Sequence, residues 1–101
     1  MRRKRFFAIA VSLTCAGWPL TALSEGANGQ MLAQACVGCH GASWDGQGAI
    51  TDLRGYDRDS FLRVWEEFRT DERPATIMNR ITRGYTEAEV AALADFFASL
   101  D

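Results

Sequence analysis

The pentapeptide Cys36-Val37-Gly38-Cys39-His40 limits what this 101-residue chain can fold into more than any other stretch. It brings two cysteines and the only histidine together at the spacing of a c-type haem attachment site. Two thiols one helical turn apart form thioethers with the two vinyl groups of one haem, and the adjoining imidazole comes up beneath the iron. Cys36 and Cys39 are therefore the candidate covalent haem-binding residues, and His40 is the candidate proximal ligand of the iron. A Cys-x-x-Cys pair also serves as a redox dithiol or as half of a zinc site, but zinc needs two more ligands and the dithiol fold needs a βαβ frame. The sequence offers neither: the third cysteine, Cys15, lies in the N-terminal leader, and no further histidine or cysteine follows His40.

Met1-Arg2-Arg3-Lys4-Arg5 is a positive start followed by a mostly apolar run from Phe6 to Leu23, the pattern of a secretory signal peptide. Ala22-Leu23-Ser24 places small residues where a signal peptidase reads. Residues 1–24 are thus expected to be removed, leaving 25–101 as a single domain in the periplasm. The run approaches the roughly 20 residues that span a bilayer, but its Ser, Thr, Gly and Pro content favours cleavage over a retained anchor, so no membrane association is expected afterwards. Export also suits haem c, which is joined to its protein outside the cytoplasm.

Cleavage after Ser24 leaves 77 residues, near the size at which a domain needs a staple or a cofactor to complete its core. One covalently held haem c fills that need, and the apo chain is expected to be largely unfolded because cofactor binding and folding are coupled. The pattern predicts an all-α domain of three to four helices around the haem, with no alternating run that argues for a strand. Asn28 caps a first helix that runs through Met31, Leu32 and Ala35 into the cysteines. Gly41 to Gly55, with four glycines, reads as a loop on the proximal side of the haem. Asp57 or Asp59 opens a helix with Phe61, Val64, Trp65 and Phe68 on its apolar face, ended between Arg69 and Pro74. The last helix carries the clearest start: Thr86 and Glu89 form a capping box, and Tyr85 with Val90 a hydrophobic staple. Val90, Leu93, Phe97 and Leu100 then make a stripe expected to cross the first helix near Leu32 and Ala35.

Four of the eleven basic residues lie in the leader, so residues 25–101 hold seven arginines, no lysine and all thirteen carboxylates. That balance argues against nucleic acid as a partner. Docking must then use apolar contact, the arginines or the acidic face, and Trp44, Ile50, Tyr56 and Ile77 are candidates for an apolar patch. The second axial position of the iron in an electron-transfer haem is usually held by a soft thioether. Met31 lies too close to Cys36 to reach the opposite face of the ring, which leaves Met78 as the candidate distal ligand. An open or water-filled site, with Met78 as plain core in the pattern Ile77-Met78-x-x-Ile81, stays open.

The attachment motif, the small helical size, a Met some forty residues on and the closing aromatic helix resemble class I cytochromes c. More narrowly, Ala75-Thr76-Ile77-Met78-Asn79-Arg80-Ile81, Gly84-Tyr85-Thr86 and Leu93-Ala94-Asp95-Phe96-Phe97 resemble the cytochrome subunit of flavocytochrome c sulfide dehydrogenase. The resemblance implies an electron-transfer subunit, not catalytic alone, bound to a flavoprotein that carries FAD and oxidises sulfide, with electrons passing from flavin to haem and on to other periplasmic electron carriers. It also implies thioethers at Cys36 and Cys39, His40 as proximal ligand and Met78 as distal ligand. Two features depart from that pattern. There is a single attachment motif where some relatives carry two haem domains, and Gly48-Ala49-Ile50 stands where a Gly-Pro often orients the histidine. A backbone carbonyl of Ala49 or Ile50 is the expected acceptor for the His40 ring N–H. The alternative is a free, diffusible electron carrier; a ligand-binding or peroxidatic haem protein would need a distal base that the sequence does not supply.

Overall fold

The computed structural model describes residues 26–101 and the isolated positions 10, 16 and 17; the leader and its cleavage after Ser24 fall outside the described segment. Helices α1, α3 and α5 each begin where a side chain satisfies the first free backbone N–H groups. Asn28 holds extended backbone, and its side-chain oxygen accepts from the Met31 N–H at 3.1 Å, opening α1 (Gly29–Ala33). A 3-10 turn over Gln34–Cys36 and then α2 (Val37–His40) continue the same helical stretch, which Gly41 ends at a φ of 94°. Asp57 caps α3 (Arg58–Arg69) by accepting from the Ser60 N–H at 3.0 Å. A short α4 (Met78–Ile81) runs into a 3-10 turn over Thr82–Gly84. The capping box opens α5 (Glu87–Ala98): Glu89 N–H donates to Thr86 Oγ1 at 3.2 Å and Thr86 N–H to Glu89 Oε1 at 2.9 Å. The described residues therefore form the all-α arrangement of four helical stretches that the periodicity predicts, with one isolated bridge, Gln47 to Ile50, in the loop.

Helix α5 is the centre of the fold, because Val90, Leu93, Ala94 and Phe97 on it are all buried. The Phe97 ring lies 5.7 Å from Phe61 and 6.0 Å from Trp44, and Phe61 stacks on Trp65 at 5.7 Å. Such aromatic pairs add packing beyond their buried area. On the other side α5 crosses α1, and there the expectation of Ala35 at the crossing is corrected. Ala33 is fully buried and Ala35 is exposed. The residues that pack inward here, Gly29, Leu32, Ala33 and Cys36, follow i, i+3, i+4, i+7 spacing, and Ala35 falls on the opposite side of that face. Gly29 and Ala33, one turn apart, face α5 instead. A Cβ on Gly29 would overlap the Ala92 carbonyl oxygen and stand 2.9 Å from Phe96 Cβ, so the two backbones touch there.

The caps also set an acid limit on the fold. Backbone N–H bonds hold the Asp57 and Glu89 carboxyls below their ordinary values, and Arg69 and Arg73 do the same for Glu66 and Glu67. Groups depressed in the folded state stabilise it fully above their unfolded values, here 4.5 for Glu and 3.8 for Asp, and that contribution is lost as pH falls through the folded values. The melting midpoint should therefore fall on acidification below about pH 4.5, and the double variant Asp57→Asn, Glu89→Gln should show a shallower fall. An acid limb of unchanged steepness in that variant would remove the two caps from the response.

Candidate functional site

Cys36 closes the 3-10 turn half-buried, Cys39 stands exposed on α2, and both are free thiols. Burial, and then the neighbouring Cys39, push the Cys36 thiol above its ordinary value. That direction is opposite to the lowered pKa of a redox-active dithiol. Tyr85 lies near enough for Cys36 to help raise its phenol, after the larger effect of its own burial.

His40 is the last residue of α2, and its Nδ1 lies 2.8 Å from the Thr51 carbonyl oxygen. A carbonyl only accepts, so Nδ1 carries the proton and Nε2 keeps its lone pair for a metal. The acceptor is thus Thr51, one or two residues beyond the expected Ala49 or Ile50. The loop itself gives the reason. Gly46 N–H donates to His40 O at 2.9 Å, and Gln47 and Ile50 exchange backbone bonds at 3.1 and 2.9 Å, a tight turn that carries Thr51 back over the ring. Gly46, at a φ of 71°, allows it: a Cβ there would meet Ile50 O at 2.5 Å and Asp52 N at 2.7 Å.

Trp44 anchors the other side of the loop from a left-handed φ of 55°. Its indole N–H donates to Ala33 O at 2.8 Å, and its ring meets Phe96 edge-on at 5.2 Å. Trp44 and Tyr56 are therefore packing residues, not members of an exposed patch. Ile50 and Ile77 do stand out, 38 % and 46 % exposed, joined by Ile81 at 39 %. Met78 opens α4 between those two isoleucines and packs half-buried against the same core cluster as Cys36, whereas Met31 is 75 % exposed on α1.

The arginines are mostly committed. Arg58 pairs with Asp95, Arg63 and Arg73 with Glu67, Arg69 with Glu66 and Arg83 with Asp71, while Arg54 donates to the backbone carbonyls of Ser43 and Asp101. Among the described residues Arg80, on α4, has no such partner. Sequence reading missed Thr51, the inward turn of Trp44 and the pairing of the arginines, since each depends on where the loops bring distant residues.

A family model for cytochrome c matches residues 26–101, the whole described segment. The chain belongs to the cytochrome c family. As a cytochrome c it carries out electron transfer, and membership implies covalently bound haem c. The residues present fit that group: two free thiols at attachment spacing, an imidazole with Nε2 held available, and exposed isoleucines on either side of a methionine. This cytochrome c is also 29 % identical over 72 residues to the cytochrome subunit of sulfide dehydrogenase from Chlorobaculum tepidum, an alignment covering 71 % of this chain and 66 % of that protein. It thus spans just under two thirds of that relative's length.

Proposed function

We propose that this cytochrome c is a one-haem electron-transfer subunit, exported to the periplasm, that receives electrons from an FAD-containing sulfide dehydrogenase flavoprotein and passes them to another carrier. Haem c, when bound, supplies a one-electron iron couple. Cys36 and Cys39 hold it covalently, His40 Nε2 is the proximal ligand and the Met78 thioether the distal one. The observation that carries the site is the His40 Nδ1 contact with Thr51 O, which fixes the tautomer and ring orientation a metal ligand needs. Support for the partner comes from the likeness to the Chlorobaculum tepidum subunit. Exposed Ile50, Ile77 and Ile81 are apolar side chains open to such contact, since the arginines are largely paired within the chain.

The test is affinity capture of the tagged holoprotein from its native periplasm, with mass and absorption spectrum of whatever co-elutes. A stoichiometric yellow flavoprotein is the expected result. Recovery of a lone one-haem monomer would refute the subunit reading and favour a free electron carrier.

A further inference from the structure

We propose that Asp71 is a positioning residue for Met78, acting through Asn79 and Arg83 to hold α4 in place; this rests on Met78 being the distal ligand. Helix α4 has four residues and no side-chain cap, so it cannot fix its own orientation. Its ties to the rest of the fold must do so. Asp71 sits just past α3 and divides its carboxylate between two partners. Oδ1 accepts from Asn79 Nδ2 at 3.2 Å, and Oδ2 accepts from the Arg83 guanidinium. Arg83 Nε also donates to Arg69 O at 3.3 Å, at the end of α3. One carboxylate thereby joins the end of α3 to the residue directly after Met78 and to the 3-10 turn that follows α4.

Two further observations show that the arrangement is specific. Asp71 has a φ of 61°, a left-handed conformation that glycine adopts at less cost. That conformation belongs to the residue just past a Schellman helix stop, with Asp71 N–H donating to Phe68 O at 3.2 Å and Glu72 N–H to Glu67 O at 2.9 Å, so the end of α3 fixes where the carboxylate stands. In addition, the other amide atom of Asn79, Oδ1, is buried without a partner. The bond to Asp71 is thus the Asn79 side chain's hold on its surroundings, and removing it leaves the whole amide unpaired in a half-buried position. If α4 swings away, Met78 leaves the iron. The affinity of an added ligand for the iron therefore reports the fraction of molecules in which α4 has moved.

The experiment is an imidazole titration of the ferric holoprotein in wild type, Met78→Ala, Asp71→Gly and Asp71→Asn. Imidazole binding and the near-infrared thioether-to-iron absorption are followed, beside the melting midpoint of each. Asp71→Gly removes the carboxylate while suiting the backbone, so the loss of its bonds and the gain in backbone fit oppose each other and its midpoint should stay near wild type. Its imidazole affinity should increase about fivefold or more, in the range for losing charged hydrogen bonds at a partly exposed site. Asp71→Asn, which keeps an acceptor, should fall between it and wild type, and it serves as the test if Asp71→Gly does not yield holoprotein. Wild-type imidazole affinity in the Asp71 variants, with Met78→Ala opening the iron, would overturn the positioning role alone. Wild-type affinity in Met78→Ala would overturn both it and the axial assignment. An affinity gain that only follows a lowered midpoint would also overturn it, in favour of general loosening.

Discussion

Met78→Ala holoprotein is expected to keep its covalently attached haem, to lose the near-infrared thioether absorption and to show a reduction potential lower by on the order of 0.1 V or more. That is a modest part of the roughly 0.8 V over which axial ligands set haem potentials. A thioether is a soft ligand that favours the ferrous state, and water or an added base in its place favours the ferric. Packing alone predicts something else. Met78 is half-buried against the core, so as a plain core residue its truncation would cost about 2–5 kcal/mol or less and leave the potential where it was. Equilibrium redox titration separates the two, and an unchanged potential would take Met78 off the iron.

Gly29→Ala should lower the melting midpoint of the holoprotein by about 10 °C or more, corresponding to a net loss of about 2 kcal/mol in a domain of this size. Two effects oppose each other. Alanine in a helix is favoured over glycine by about 1 kcal/mol. The new methyl, however, would overlap the Ala92 carbonyl oxygen and crowd Phe96 Cβ, and the first of these is backbone that no rotamer change can move aside. The steric term wins because α1 and α5 must separate, which loosens Ala33, Leu93 and Phe97 together. A midpoint within a degree or two of wild type would mean that the crossing is slack.

The helices of this chain were legible because their starts are local. Asn28 and the Thr86–Glu89 pair act within three residues of themselves, so sequence alone places them, while for the second helix it narrows the cap to Asp57 or Asp59 and the structure selects Asp57. The stripe on α5 was equally plain, as Val90, Leu93 and Phe97 follow helical spacing into the core. Cys36, Cys39 and His40 announce haem by chemistry and order. What was hidden depends on tertiary approach. Gly29 looks like an ordinary helix-start glycine until α5 is laid against it. Thr51 became the partner of His40 through the turn that Gly46 permits. Asp71 reads as one more acidic loop residue, and only the return of α4 and Arg83 gives it two partners.

The contact between α1 and α5 joins residues about sixty positions apart, across nearly the whole described segment. Its formation is a long-range closure, which slows folding relative to local helix pairing and delays core assembly until the last helix has been synthesised. A partial chain ending before α5 lacks Val90, Leu93, Ala94 and Phe97, four of the seven buried core residues of the described segment. During that interval the Cys36–His40 segment, next to the helix still waiting for its mate, stays accessible to the chemistry that attaches haem. The topology thus imposes an order of events on maturation, with attachment able to precede closure.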